Sequence, residues 1–226
     1  LEVIHIVFGD VHGDATKLTA LFDLAAQTYP GVPIVWHTLG DLIDRGPQSP
    51  EVLDLCIQHG VTGVLGNHET WLTYALTPNG QIEDDVVSRI MGGASTLKSY
   101  GVDLKLSPTQ RANVIKEAVT PDQKRFLSSL KMADAFFAGG KTWLLVHAGI
   151  NQSLVDAAIP TGVRDDNLVI NTLVARYSPH LLWSSPNLEA LYVFDTCIQV
   201  FGHKPLSVAV QEEHFVALDT GCGTCP

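Results

Sequence analysis

The stretch IVWHTLGDLIDRG, residues 34–46, joins an apolar run to a polar turn that contains two glycines. The apolar part, from Ile34 to Leu39, has the β-branched and aromatic composition of a strand. The turn that follows contains Asp41, Asp44 and Arg45. A buried strand that ends in charged side chains predicts a functional site at the end of that strand.

The same order of apolar strand and polar loop recurs along the chain. Apolar runs lead into GDVHGD at 9–14, GNHE at 66–69, HAG at 147–149 and GH at 202–203. These repeats predict an α/β fold in which the strand ends converge on one edge. Ligands in such sheets bind outside the carboxyl ends of the strands.

Helical patterns fill most of the remaining sequence. The spacing of apolar residues after Asp14 predicts a helix with Asp14 as its N-cap, and Pro50 suits the first turn of a second helix. Residues from about 71 to 130 read as helical, with Thr120 at a helix start, and we expect this region to cover the site without supplying chemistry. Val208–Val210 and Phe215–Leu218 read as a closing antiparallel pair. We expect one domain over 1–226, with a helical insertion at about 71–130.

Composition excludes several classes of protein. The 226 residues are 46% hydrophobic and 17% charged, which is ample for a buried core and excludes a disordered chain. The net charge of −10 disfavours binding to a nucleic-acid polymer, and no apolar run reaches the ~18 residues of a membrane span. Four cysteines are too few for a disulfide framework. We expect a cytoplasmic monomer without a membrane partner.

The polar residues at the strand ends share one kind of chemistry. They are Asp10, His12, Asp41, Asp44, Arg45, Asn67, His68, His147 and His203. Carboxylates and imidazoles are ligands for Mn²⁺, Fe²⁺ and Zn²⁺, and a ligand set without cysteine disfavours a structural zinc. Six candidate ligands exceed what one catalytic metal needs and suit two metals that share a bridging carboxylate.

The motifs at 9–13, 40–46, 66–69, 147–149 and 202–203, taken together and in this order, resemble those of the phosphoprotein phosphatase branch of the binuclear metallophosphoesterases. Gly92-Gly93, Thr96-Leu97 and the sequence ALDTG at 217–221 are similar to its bacterial and phage subgroup. The resemblance implies a calcineurin-like β-sandwich flanked by helices.

The resemblance also implies a role for each strand-end residue. Asp10 and His12 would bind one metal, Asp41 would bridge, and Asn67, His147 and His203 would bind the second. A hydroxide between the metals would attack phosphorus directly. His68 would protonate the leaving group, Asp44 would orient His68, and Arg45 and Asn67 would bind phosphate. Manganese is the expected ion, with iron, zinc and nickel as alternatives.

A second phosphate-binding arginine, which many relatives have, is missing from its expected position. Phage-type relatives place it shortly after a tryptophan like Trp183, where this chain has Ser184 and Ser185. We interpret Arg176 as its substitute, reaching the phosphate from another direction.

Two activities and one non-enzymatic role fit these motifs. The first is hydrolysis of phosphoserine and phosphothreonine in a protein or peptide partner, with phosphotyrosine as a further candidate substrate. The alternative is symmetrical hydrolysis of diadenosine tetraphosphate, by enzymes that often have Ala at position 44 and Asp at position 69. Because this chain has Asp44 and Glu69, we favour the protein phosphatase. A non-catalytic metal-binding module would have lost a ligand or the acid, and none is lost here.

Overall fold

The computed structural model describes residues 3–88, 90–184 and 187–222. Its strands are β1 Ile4–Phe8, β2 Ile34–Thr38, β3 Thr62–Gly63, β4 Ala133–Ala138, β5 Lys141–Val146, β6 Cys197–Phe201, β7 Val210–Gln211 and β8 Phe215–Ala217. Its α-helices are α1 Ala15–Thr28, α2 Ser49–Gln58, α3 Asn67–Ala75, α4 Asp84–Val87, α5 Gly93–Ser99, α6 Pro108–Ala118, α7 Pro121–Ser129, α8 Gln152–Ala158, α9 Asp166–Arg176 and α10 Ser178–Trp183.

The strands form two sheets. The first is parallel, in the order β1-β2-β3, with Ile4 opposite Ile34 and Thr38 opposite Gly63. The second has the order β4-β5-β6-β8-β7. In it β5, β6 and β8 run parallel, while β4 and β7 pair antiparallel at the two edges.

The two sheets meet face to face across a small apolar layer. Leu39 and Val64 from the first sheet's strand ends pack there with Leu145 and Val200 from the second. The neighbouring Leu144 points to the opposite face and packs under α8 and α9. A larger cluster on the outer face of the first sheet buries α1, α2 and the helices of the 71–130 region. This arrangement confirms the predicted α/β sandwich flanked by helices.

The structure confirms several local predictions made from the sequence. The Asp14 side chain accepts from Lys17 N at 2.9 Å at the start of α1, and Thr120 caps α7. Pro50 lies in the first turn of α2, and β7 and β8 form the predicted antiparallel pair. Within the described residues, no helix is long and apolar enough to cross a membrane.

Strand β4 was missed because its sequence, ADAFFA, is rich in alanine and contains aspartate, residues depleted in strands. It forms through its pairing with β5, to which a tight turn connects it. Gly139 and Gly140 take φ of 59° and 77° in that turn, a region that glycine enters at little cost. Helices α8, α9 and α10 were not predicted either.

Candidate active site

The predicted strand-end residues gather at one edge of the sandwich. Asp10 and His12 follow β1, Asp41 follows β2, Asn67 and His68 open α3 just after β3, and His147 and His203 follow β5 and β6. All of them are buried except His203, which is half-buried. The burial of so many polar side chains at one place marks this edge as the candidate site.

The backbone is strained at the same place. Among the described residues, the non-glycine residues with positive φ are His12, Asp41, Asp44, Arg45 and His203, at 48° to 72°. Residues other than glycine rarely adopt this backbone conformation, and each one that does costs of the order of 1–3 kcal/mol of folding free energy. The strain is concentrated where the chain must direct side chains towards one point.

The buried carboxylate of Glu69 holds the loop after β2 in this strained form. It accepts hydrogen bonds from the backbone N–H groups of Asp41, Leu42 and Ile43 at 2.8, 2.7 and 3.2 Å, and from Gly66 at 2.9 Å. These donors satisfy a carboxylate that has no access to water. Glu69 therefore has a structural role, which is to fix the backbone of this loop.

Glycines let the loops approach each other closely. A Cβ on Gly66 would lie 2.2 Å from Asp41 N, and one on Gly202 would lie 2.3 Å from Asp10 Oδ1. Neither side chain could be accommodated without moving a backbone segment or a candidate ligand. The glycines of GNHE and GH are thus required by the packing of the site.

The first group of candidate metal-ligand atoms comes from residues of both sheets. The amide oxygen of Asn67 lies 2.8 Å from His147 Nε2 and 2.9 Å from His203 Nδ1, and the two ring nitrogens are 3.2 Å apart. Asp41 Oδ1 is 3.4 Å from His147 Nε2. An ion with bonds of about 2.0–2.2 Å holds neighbouring ligand atoms roughly 3 Å apart, as found here.

The second group uses the other oxygen of the same carboxylate. Asp41 Oδ2 lies 3.7 Å from His12 Nε2 and 3.7 Å from His68 Nε2. Asp41 therefore faces one group with each of its oxygens, which is the geometry of a bridging ligand. Asp10 accepts from His203 N at 3.2 Å, so the structure brings it to this edge beside His203.

Hydrogen bonds fix which nitrogen of two rings faces the site. His12 Nδ1 lies 3.0 Å from Ile43 O, and His147 Nδ1 lies 2.7 Å from Leu39 O. A carbonyl only accepts, so both Nδ1 atoms carry the proton. Burial, reinforced by neighbouring histidines, lowers the pKa of His12 to about 2 and that of His147 to about 3, so both rings are neutral. Their Nε2 lone pairs consequently point at other electron-rich atoms.

The electrostatic surroundings of two buried aspartates add to this evidence. Burial raises the pKa of Asp41 well above its usual range, as do the nearby carboxylates of Asp10 and Glu69. Burial and the Asp219 carboxylate likewise raise the pKa of Asp10. Lone pairs and carboxyl groups that converge where burial makes a carboxylate charge costly fit bound cations, which would compensate that charge. The donors are imidazole, carboxylate and amide oxygen, which suit borderline divalent metals.

His68 is paired with Asp44, the contact expected from the sequence. His68 Nδ1 donates to Asp44 Oδ2 at 2.8 Å. The same oxygen accepts from Trp71 Nε1 at 2.9 Å, and Asp44 Oδ1 accepts from the Thr96 hydroxyl at 2.7 Å. Three donors thus hold the fully buried carboxylate in one orientation, and Nε2 of His68 faces Asp41 Oδ2 in the second group.

Trp71 and Thr96 were not predicted as part of the site. Trp71 lies three residues after His68 on α3, so helical spacing could have placed it on the same face. Thr96 belongs to the region expected to supply no chemistry, and no spacing connects it to Asp44. Because its hydroxyl donates to Asp44, the Ser49 hydroxyl, 2.9 Å away, must donate to Thr96.

Arg45 reaches into the site, whereas Arg176 does not. The Arg45 guanidinium lies 3.4 Å from His68 Nε2, and its backbone N–H donates to Gly92 O at 3.1 Å. Arg176 ends α9 as an exposed residue, and no contact found among the described residues joins it to the site. The structure therefore does not support Arg176 as a substitute for the second arginine. Ser184 lies at the end of α10, and Ser185 lies outside the described residues.

Two sheets with histidines, a shared aspartate and an arginine at their common edge define the class of metallophosphoesterases. The sequence profile described as "Calcineurin-like phosphoesterase" matches residues 6–222. The chain belongs to this family, whose members use divalent metals.

The curated relatives that match this chain are all symmetrical bis(5'-nucleosyl)-tetraphosphatases. A bis(5'-nucleosyl)-tetraphosphatase (symmetrical) from Neisseria gonorrhoeae is 41% identical over 70 residues, 30% of this chain and 25% of the relative. Another from Paracidovorax citrulli is 29% identical over 147 residues, 63% of this chain and 42% of the relative. The matched segments thus span less than half the length of these relatives.

Solved structures match over most of the chain. A protein described as a candidate diadenosine tetraphosphatase is 18% identical, with a TM-score of 0.51 over 98% of this chain and 88% of that one. A protein serine/threonine phosphatase from Saccharomyces cerevisiae is 16% identical, with a TM-score of 0.51 over 95% of this chain and 66% of that one. At these identities the likeness shows the fold alone.

Proposed function

We propose that this protein hydrolyses bis(5'-nucleosyl) tetraphosphates symmetrically to two nucleoside diphosphates. The observation that carries a phosphoesterase reaction is the Asp41 carboxylate, which faces one group of metal-ligand atoms with each oxygen, beside Arg45 and His68. The names of the curated relatives support the substrate class. This proposal reverses the preference drawn from Asp44 and Glu69.

Each residue of the site can take one role in this reaction. Two divalent ions held by Asp10, His12, Asp41, Asn67, His147 and His203 would activate water and neutralise charge on the phosphate oxygens. Arg45 holds phosphate oxygens through its fork of N–H donors, a geometry that lysine lacks. His68 Nε2 faces the site and can hand a proton to the leaving oxygen, while Asp44 fixes the ring through Nδ1.

The reaction balances with water as the only co-reactant. The oxygen of water bonds to one of the two central phosphorus atoms, and the bond from that phosphorus to the oxygen that joins the two central phosphorus atoms breaks. The protons of the water pass to the terminal phosphates of the two products or to solvent. The departing half leaves as a nucleoside diphosphate, whose terminal oxygen is a weak base and needs little protonation. His68 therefore contributes less to this reaction than it would to the cleavage of an alkyl ester.

A second candidate, hydrolysis of phosphoserine or phosphothreonine in proteins, is favoured by the Asp44–His68 pair. An alkoxide leaving group is strongly basic, so its departure benefits from a positioned acid. Three donors hold Asp44, which supports an acid that is kept ready for such a leaving group. On this candidate the partner is a phosphorylated protein or peptide.

The deciding experiment compares the two substrates on one preparation. The protein is stripped with chelator and reloaded with Mn²⁺, and kcat/KM is measured for diadenosine tetraphosphate and for a phosphothreonine peptide. We expect faster turnover of the nucleotide, with ADP as the nucleotide product. Faster peptide turnover would favour the second candidate, and ATP plus AMP as products would contradict symmetrical cleavage.

The choice of metal is tested in the same assay. We propose manganese, and reloading with Fe²⁺, Zn²⁺ or Ni²⁺ compares the alternatives at equal occupancy. The His214→Ala variant is the matched control, because His214 is exposed and lies outside the ligand groups. It should bind metal and turn over substrate as the unaltered protein does.

A further inference from the structure

An exposed tryptophan stands beside one of the metal-ligand histidines. Trp183 is the last residue of α10 and is 51% exposed, although the two preceding residues, Leu181 and Leu182, are buried. Its ring centroid lies 6.3 Å from that of His203, with the rings nearly perpendicular at 83°. A large aromatic surface is thus open to solvent at the rim of the candidate active site.

The position of this tryptophan is fixed by the loop that contains His147. Ala148 N donates to Leu181 O at 2.9 Å, and the side-chain amide of Asn151 donates to Ser184 Oγ at 3.4 Å. These bonds tie α10 to the residues directly after His147. Trp183 therefore lies at a helix end that two hydrogen bonds anchor to the loop after His147.

The charges of the site and of the whole chain favour an additional, uncharged contact with the substrate. Among the described residues, Arg45 is the arginine whose charge acts on His12, Asp41 and His203. The chain as a whole has a net charge of −10, which repels a polyphosphate beyond the reach of the site. A substrate with several phosphates gains affinity from a part that is not charged.

We propose that Trp183 is a stacking face for a nucleobase of the bound nucleotide, an inference that rests on the proposed function. Every base has a π-face, so a single tryptophan selects phosphates that bear nucleosides without selecting one particular base. One nucleoside of a symmetrical dinucleotide would stack on Trp183, while its phosphates lie between His203 and Arg45.

Binding of the product tests the stacking face without turnover. Reloaded protein is titrated with ADP by calorimetry and by tryptophan fluorescence. We expect Trp183→Ala to weaken ADP binding roughly 5- to 150-fold, the range that base–aromatic stacking supplies. A base stacked on Trp183 should quench the fluorescence of this tryptophan. Trp183→Phe should therefore keep most of the affinity for ADP but lose this quenching. Unchanged ADP affinity in Trp183→Ala would overturn the inference.

The control is Phe137→Ala, which removes another exposed aromatic, on β4 away from the site. It should bind ADP normally, and an equal loss there would overturn the assignment to Trp183. Thermal unfolding of each variant checks that it is folded.

Turnover separates this inference from the proposed function. In Trp183→Ala, the ratio of kcat/KM for diadenosine tetraphosphate to that for inorganic tripolyphosphate should fall by the same factor. If the dinucleotide is hydrolysed but the ratio does not change, the stacking face is wrong and the proposed function stands. If ADP binding depends on Trp183 but the dinucleotide is not hydrolysed, the proposed function is wrong and the stacking face stands. A loss confined to phosphothreonine peptides would overturn the nucleobase assignment.

Discussion

The two halves of the sandwich contribute unequally to the site. The half built on β1, β2 and β3 supplies most of the candidate ligands, together with Arg45 and the Asp44–His68 pair. The half built on β4 to β8 supplies His147 and His203. Of the five non-glycine residues with positive φ in the described part of the chain, four also lie in the first half.

This difference indicates how the site is assembled. The first half organises its loops by itself, because Glu69 binds the backbone of the loop that contains Asp41. The two histidines of the second half reach their partners only when the sheets pack. His147 then donates to Leu39 O, 108 residues earlier in the chain. The metal-ligand groups are therefore completed by tertiary packing.

The strongest test of this asymmetry compares Asp41→Ala with His203→Ala. Asp41 faces both groups and His203 faces one, so Asp41→Ala should lose both ions and His203→Ala should retain one. Turnover in Asp41→Ala should fall by more than about 100-fold, beyond the cost of substitutions that only orient ligands. Metal analysis after gel filtration measures the stoichiometry. Two ions retained by Asp41→Ala would refute the bridging role.

The next largest effect is expected at His68. His68→Asn should lower turnover of a phosphothreonine peptide roughly 10²–10⁴-fold, the contribution of a positioned proton donor, and that of a phosphoanhydride by less. Both rates are measured at saturating Mn²⁺, with His214→Asn as control. Because His68 Nε2 also lies near Asp41, bound metal is measured as well. Equal losses on both substrates would argue against an acid.

A core substitution tests whether the apolar layer between the sheets holds the two halves together. Leu145 is fully buried between the sheets, so Leu145→Ala should lower the free energy of unfolding by about 2–5 kcal/mol. Leu168→Ala, at an exposed position of α9, should change it by less than about 0.5 kcal/mol. Urea denaturation gives both values. If Leu145→Ala changed the free energy of unfolding as little as Leu168→Ala does, this layer would not hold the halves together.

The smallest expected effect concerns the link between α5 and the acid pair. Thr96→Val keeps the shape of the side chain but removes a donor to Asp44 Oδ1 and an acceptor for Asp44 N. We expect a loss of roughly 1–3 kcal/mol in the free energy of unfolding. Thr96→Ser restores the hydroxyl and should recover most of the lost free energy of unfolding. If it does not, the methyl group of Thr96 contributes more to stability than its hydroxyl.

Much of the fold followed from short-range signals. The strands that precede glycine-containing polar loops were predicted because apolar runs and turn residues alternate there. The helix starts at Asp14 and Thr120 were predicted because capping is a local interaction. Strand β4 depends on its pairing with β5, and the contact between Thr96 and Asp44 joins residues 52 positions apart. Neither leaves a local signal.

The sequence by itself determined the kinds of donor at each strand end and the glycines that let their loops meet. It did not determine which oxygen of Asp41 faces which group, that Arg176 stays exposed, or that Trp183 stands beside His203. The tertiary structure decided these because they depend on how sheets and helices distant in sequence pack together. A residue's chemistry is local, but the direction in which its side chain acts is set by its neighbours in space.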